Sequence, residues 1–392
     1  MALPSTQTSI AIAAPRQPLV AVSSPVHPPP PGHVVMRVLW AASTPLDLHR
    51  ADGGLLVPSY PYLAGGGGAA GTLAAVSSSG DTKGLAVGDR VTSFAFRGGA
   101  EANHQEYMTV PAYLVSKVPD GIPLQAAVTV PVNLVTVFHA AVRDLGLALP
   151  WPRPADDGEM PQRHRSILIW GASSSVGVFA VQVLRHWGYT RILAVASARH
   201  HDYLAGLGAT ACFDYTRPFV VDDVRRHIKE RDGEGATVPY ILDCIGSLQR
   251  TLAPLTQIAT RGSVVAVMLP IIVRDASVAE APEYEMDASR CLPGQWADGV
   301  EVRGVRTHFY LDLWTAFLLL TLVGRGVLQD PEFREKMQPE MVPKLLAQGV
   351  VQPNRQRVVE GATMLERAQR ALDLLRDKAV SGERLVWRVS EE

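Results

Sequence analysis

Cysteine is scarce: Cys212, Cys244 and Cys291 are the only three in 392 residues. Spread so widely, they make neither a disulfide framework nor the paired spacing of a zinc site. A reducing, cytoplasmic setting is the expectation. Charge of one sign is missing too. The 37 Lys and Arg balance 38 Asp and Glu, for a net charge of -1. No basic footprint points to nucleic acid or to an anionic membrane. Long apolar runs are also lacking. The most apolar stretch, LWTAFLLLTLVG at 313–324, is shorter than the roughly 20 residues that span a bilayer, and it reads as a buried helix. The N-terminal MALPSTQTSIAIAAPRQ lacks the charged start and continuous apolar core of a secretion signal.

What is present is a globular composition, 47% hydrophobic and 19% charged, in a chain long enough for about two to three domains. The first third reads as β-rich, with short apolar stretches such as HVVMRVLWAAS and DRVTSFAF broken by Pro and Gly clusters. SSPVHPPPPGH is a turn or an extended connector. The glycines at 65–68 suggest close backbone approach or a loop. From 124 to 147 the apolar spacing becomes helical, with a break at Pro131. A polar, proline-rich loop follows. Then strands and helices alternate: SILIW, RILAVAS, ACFDY, PYILDCIG, GSVVAVML and VEVRGVR are strand candidates. Such alternation argues for a doubly wound parallel sheet, a Rossmann architecture. The C-terminal part returns to a helix, ATMLERAQRALDLLRDKA, and closes on a strand, ERLVWRV.

ILIWGASSSVGVFAVQVL joins a buried strand to an amphipathic helix through small residues. The first N–H groups of a helix have no internal partner, and its dipole favours an anion there. The three positions of the dinucleotide fingerprint G-x-G-x-x-G are Ala172, Ser174 and Gly177, preceded by Gly171. Gly171, Ser173, Ser174, Ser175, Val176 and Gly177 are therefore candidates to hold a pyrophosphate, the serines adding hydroxyl donors. A plain βα turn is the alternative. The end of the second strand offers Ser197 and Arg199, and no acid before Asp202. A hydroxyl and a guanidinium suit a 2'-phosphate better than a 2'-hydroxyl, so NADPH is the expected cofactor. Arg199 as a solvated surface residue is the other reading. Tyr215 could stack or hydrogen-bond near the same phosphate.

The order of segments resembles the medium-chain dehydrogenase/reductase superfamily. AVGDRV resembles its strand–turn signature, GASSSVG followed by LGATACFDYTRP its cofactor domain, and VSGERLVWRV the closing strand of its quinone-reductase-like branch. Within that branch the chain is similar to fungal trans-acting enoyl reductases of polyketide pathways, a likeness that LGLALPWPRP shares. The resemblance implies an α/β chain with a GroES-like, β-rich catalytic domain in 1–132, a Rossmann NADPH-binding domain in 133–309, and a return to the catalytic domain in 310–392. It implies an NADPH-dependent reduction of an activated C=C bond. The substrate would be a small molecule or a carrier-bound acyl group, with a polyketide synthase as partner and no membrane or nucleic acid involved. The chain would be a monomer or a homodimer.

Many members of the superfamily carry zinc. Here the stretch of the histidine–glutamate pair reads GGGGAAG, no cysteine precedes Cys212, and His49 and His104 are isolated, so no metal is expected. In the resembling reductases a lysine follows an N-P-x-D-x motif. The matching stretch is STPLDLHR, and His49 takes the lysine's place. A family threonine matches Thr136, whose hydroxyl could face the nicotinamide or could bond its own helix backbone. His49 and Thr136 are the catalytic candidates. Leu269, in VMLPIIV, and Thr307, in GVRTHFY, follow late strands and are expected beside the cofactor. The polar segment at 274–299 between them reads as a lid or a variable loop. The family's aspartate before A-G-T is replaced by Gly68. His49 and Gly68 together motivate a second reading, a non-reductive cyclase or isomerase on the same fold. A cofactor-binding protein without enzymatic activity is a third.

Overall fold

The computed structural model describes residues 2–94, 96–155, 161–277, 280–311 and 330–391. The apolar stretch at 313–324 lies outside the described residues. The chain divides into two compact units, one made of Met1–Asn133, Ala276–Pro282 and Leu328–Glu392, the other of Leu134–Asp275 and Glu283–Val327.

The first unit is built on a seven-stranded sheet with His33–Ala42 at its centre. That strand pairs antiparallel with Gly68–Val76, Tyr107–Pro111 and Arg384–Arg388. Beyond these lie Arg90–Phe94 and Val115–Lys117 on one side, and Gln356–Val358, parallel to Arg384–Arg388, on the other. A three-stranded sheet of Leu19–Pro25, Thr6–Ile12 and Tyr62–Leu63 completes the unit's strands. Val34, Met36 and Val38 alternate into one core with Leu385 and Trp387, as the two-residue period of a strand requires. The helix Met364–Arg376 adds Met364, Ala368, Ala371 and Leu372, a stripe at helical spacing. Thr363 caps that helix by accepting from the Glu366 N–H at 3.1 Å.

A shorter helix, Pro45–Gly53, starts where proline's fixed φ suits a first helical position. Asp47 reaches back to accept from the Thr44 N–H at 2.7 Å, one half of a capping box. Gly54, at φ 65°, ends the helix in the left-handed conformation that favours glycine.

The second unit carries a six-stranded parallel sheet. Its spatial order is Ala211–Phe213, Ile192–Val195, Ile167–Trp170, Tyr240–Asp243, Val264–Met268 and Glu301–Val305. In chain order that is 3-2-1-4-5-6, the doubly wound arrangement, and the direction of winding reverses at Ile167–Trp170. Ile167–Trp170 and Ile192–Val195 are buried throughout, which gives the near-continuous apolar runs of a sheet covered on both faces. Helices Ser175–His186, His201–Leu207, Val220–Asp232 and Ala253–Ile258 connect these strands.

Two features differ from the sequence reading. The polar segment after the fifth sheet strand is not a plain loop. Ile271–Arg274 and Glu283–Glu285 pair as an antiparallel ribbon; the second strand, EYE, is too short and polar to register as a strand from sequence. The helical stretch after 124 is also more finely divided, into Leu124–Ala127, Pro131–His139 and a wider π-type turn, Ala140–Asp144. Taken as one run, Leu124–Asp144 is long and apolar enough to cross a membrane by composition, and 67% of its most apolar window is buried within the protein. A buried core helix has the same composition.

Candidate functional site

In the second unit the candidate residues collect at one end of the sheet. Gly171 follows the strand Ile167–Trp170, and Ser197 stands two residues beyond Ile192–Val195. Tyr215 stands two beyond Ala211–Phe213, Leu269 follows Val264–Met268, and Thr307 stands two beyond Glu301–Val305. All are at carboxyl ends of parallel strands, where open α/β sheets bind ligands.

The turn into the helix Ser175–His186 has a specific build. Gly171 adopts φ +77°, so the left-handed residue is Gly171 and not Ala172. A Cβ there would meet the Ile245 side chain at 2.5 Å. Ser174 is the N-cap, and its hydroxyl accepts from the Gly177 N–H at 3.1 Å. This is the ordinary work of an N-cap serine, and it explains why serine replaces glycine at this place. Gly177 is the close-packing position: a Cβ there would lie 2.6 Å from the Ala172 Cα and carbonyl oxygen. Ser173 and Ser175 are half-buried and Val176 is buried. The first N–H groups of the helix, ahead of its own ladder, open toward the strand end. The geometry fits a phosphate.

Ser197 stands at the N-cap position of the short turn Ala198–His200, its carbonyl accepting from the His200 N–H, and Arg199 is exposed, its Nε 3.3 Å from His200 Nε2. Tyr215 is exposed beside Asp214. The Asp214 carboxyl is held low by hydrogen bonds from Thr216. Leu269 packs over Gly304, where a Cβ would lie 2.7 Å from the leucine Cδ1. Thr136 and Thr307 are brought together, with hydroxyl oxygens 3.2 Å apart.

Two acids escaped the sequence reading. Asp243 is fully buried at the end of Tyr240–Asp243. It accepts from Thr251 Oγ1 at 2.5 Å and from the N–H groups of Ile245 and Gly246. Burial pushes its carboxyl up to about 6 against those hydrogen bonds. Asp144 lies 3.9 Å from His139 Nε2, and burial pushes it up to about 7 while Arg303 and Arg306 oppose the shift. An acid closing an apolar strand, as in YILD, was the signal available for Asp243. Nothing local marks Asp144.

In the first unit His49 is half-buried on the helix Pro45–Gly53. Its neighbour Arg50 is fully buried and donates to the carbonyls of Gly65 and Phe96, each at 2.8 Å. Gly68, where the resemblance anticipates an aspartate, has no room for a side chain. A Cβ would lie 2.2 Å from the Val128 carbonyl oxygen. His104 is not a surface residue: it is buried edge-on to Trp387 at 4.8 Å. Among the described residues no three His, Cys, Asp or Glu side chains converge as a metal site would require. The described residues do not fit a zinc ion.

Comparison with known proteins matches residues 30–120 to the alcohol dehydrogenase GroES-like domain and residues 175–278 to the zinc-binding dehydrogenase family. Trans-enoyl reductase himH of Aspergillus japonicus is 29% identical over 91% of this chain and 90% of its own length. Trans-enoyl reductase tazE of Aspergillus terreus is 34% identical over 61% of this chain and 77% of its own length. Among solved structures, the chain resembles a quinone oxidoreductase of Pseudomonas syringae, with TM-score 0.69, 18% identity, and coverage of 97% of this chain and 99% of that one. It also resembles mycobacterial Rv1454c complexed with NADPH, with TM-score 0.66, 19% identity, and coverage of 97% and 99%.

Proposed function

The chain belongs to the medium-chain dehydrogenase/reductase superfamily of oxidoreductases, and we propose that it is a zinc-independent, NADPH-dependent reductase of an activated C=C bond. Its substrate is then a small-molecule or carrier-bound acyl group of a fungal polyketide-like pathway. A polyketide synthase is the proposed partner, the cytoplasm the proposed setting, and the chain works as a monomer or homodimer. We assign 133–309 to cofactor binding and 1–132 with 310–392 to catalysis.

One observation carries the cofactor reading: the serine-capped turn at the first strand end, next to a second strand end that offers a hydroxyl and a guanidinium. The N–H groups of Ser173, Ser175 and Val176, with the hydroxyls of the three serines, would hold the pyrophosphate, while the Ser174 and Gly177 N–H groups, bonded to the Gly171 carbonyl and to Ser174 Oγ, shape the turn around it. Ser197 and Arg199 would hold the 2'-phosphate, with Tyr215 beside it. Thr136 and Thr307, already hydrogen-bonded, would orient the nicotinamide, with Leu269 supplying apolar contact. NADPH, when bound, supplies the hydride. The substrate carbonyl gains negative charge as Cβ is reduced, and a donor aimed at that oxygen stabilises it. His49 is the proposed donor, and the proton for Cα comes from water or from an acid. The trans-enoyl reductases found in the comparison support the enoyl-type substrate.

The test is isotopic. Protein is incubated with NADPH deuterated at C4 and an α,β-unsaturated pantetheine thioester. Deuterium at Cβ of a product two mass units heavier in hydrogen content, plus the label, is the expected result. A rearranged product of unchanged mass without label overturns the reading in favour of a cyclase or isomerase, which the closed position at Gly68 and the histidine at 49 would then explain.

A further inference from the structure

We propose that the first unit holds one internal water molecule in a cavity among Asp47, Arg50 and His104, and that this water is the hydrogen-bond partner the three side chains share.

The cavity measures about 10 Å³ and is lined by these three side chains with Ser43 and Gly65, against an apolar wall that includes Ile12 and Leu372. That is the volume of about one water-sized sphere, the smallest space in which a water fits. The three polar residues are each more than nine-tenths buried: His104 is 3% exposed, Asp47 7% and Arg50 1%. Four of their polar atoms have no protein partner, namely Asp47 Oδ1, Arg50 Nε and both ring nitrogens of His104. The rest of each group is occupied. Asp47 Oδ2 accepts from the Thr44 N–H. The Arg50 Nη atoms donate to the carbonyls of Gly65 and Phe96. The three side chains that line the cavity are thus the same three that carry these partnerless atoms, and buried polar groups are rarely left in that condition.

The donor and acceptor pattern selects the ligand. Asp47 Oδ1 can only accept when ionised, and Arg50 Nε can only donate. A neutral imidazole does one at each nitrogen. An anion would meet the Asp47 carboxylate, and a cation would meet the Arg50 guanidinium. Water donates twice and accepts twice, so it alone answers all three groups. Asn103 Oδ1, a further buried atom without a partner, lies against Gly65, whose Cβ would be 2.0 Å from it. The water would join the helix Pro45–Gly53 to the segment at 103–104. This inference does not depend on the reductase reading.

The experiment is a crystal structure of the full chain at a resolution that shows ordered solvent, with a second crystal soaked in bromide. One density peak within hydrogen-bond reach of Asp47 Oδ1 and a His104 nitrogen, without bromide anomalous signal, is expected. The peak should vanish in His104→Phe. A dry cavity, an anomalous bromide peak, or a peak unmoved in the variant overturns the proposal. Should that variant fail to fold, 15N spectra of histidine-labelled wild type decide: a neutral His104 ring with one hydrogen-bonded nitrogen supports the water, and two unbonded nitrogen shifts refute it.

Discussion

Two glycine-to-alanine substitutions in neighbouring helices of the second unit should have opposite signs. Gly177 sits in the first turn of Ser175–His186, and Gly206 lies in His201–Leu207. In either helix alanine gains about 1 kcal/mol over glycine by propensity alone. At Gly206 a Cβ meets nothing within 4 Å, so the gain stands. At Gly177 the Cβ would lie 2.6–2.7 Å from three backbone atoms of Ala172. Backbone cannot step aside as a side chain can, and overpacking of this kind costs about 1–3 kcal/mol. Three backbone collisions place it at the upper end, about 3 kcal/mol, for a net loss of about 2 kcal/mol once the propensity gain is subtracted. For a unit of this size the midpoint falls by roughly 4–8 °C. Differential scanning calorimetry of both variants reads the shift, and titration with NADPH reads the site. Gly177→Ala should melt lower and bind NADPH at least tenfold more weakly, while Gly206→Ala should melt slightly higher and bind as wild type. Equal shifts in Tm with unchanged NADPH affinity in both would refute the close-packing role of Gly177.

Arg199→Ala should lose a charge-assisted contact of about 1.5 kcal/mol, the low end for an exposed group, and thus about tenfold in NADPH affinity. Its NADH affinity should be unchanged by calorimetry, and equal losses for both cofactors would count against the 2'-phosphate role. Asp144 is pushed up to about 7 in the folded chain, above its unfolded value near 4. The native state therefore binds the proton more tightly, and this group's contribution to stability falls as pH rises between about 4 and 7. Thermal melts across that range should show Asp144→Asn gaining on wild type as pH rises, and a constant difference would disprove it. His49→Ala should flatten the pH dependence of kcat/KM, which should fall in wild type as pH rises through the histidine range near 6.5. His49→Lys should keep activity to higher pH. An alanine variant with a wild-type profile removes His49 from the chemistry. Chelator should leave both Tm and turnover unchanged, and one tightly held zinc per chain by elemental analysis would contradict the lack of a convergent ligand set among the described residues.

The fold was legible because buried parallel strands write themselves as apolar runs. Ile167–Trp170, Val264–Met268 and the four strands between and beyond them fall within the quoted stretches. The glycine cluster was legible for a different reason. Gly66, Gly67 and Gly68 each face an atom within 2.2 Å of where a Cβ would be, and the close approach anticipated from composition is there. At the turn into the helix, Ser174 and Gly177 take the second and third fingerprint places as read, but φ shows that the residue bending the chain is Gly171, not Ala172. Asp243 was marked only by an acid closing the apolar YILD, a signal passed over, whereas Asp144 and His104 were not legible as special. Each takes its character from burial among residues distant in sequence, and no local pattern carries that. Of the ribbon, Ile271–Arg274 is an apolar β-branched run, and what hid the pairing was its partner Glu283–Glu285, three residues with two acids that strands disfavour.

The strand Arg384–Arg388 lies between His33–Ala42 and Gln356–Val358 in the first unit's sheet. Trp387, wholly buried, donates to Ser43 across 344 residues of chain. On the ribosome this imposes an order of assembly. Chains are made at about 5–20 residues per second, so Ser43 waits on the order of 20–70 s for its partner. During that interval Tyr107–Pro111 covers His33–Arg37, but the Trp40–Ala42 end of that edge of the central strand is open to any neighbour, and Val34, Met36 and Val38 lack part of their core. The second unit's sheet strands are complete by Val305, so its core can close while the first is still unfinished. Expression at reduced temperature, or with a chaperone that shields strand edges, should therefore change the yield of this chain through its earliest-made part.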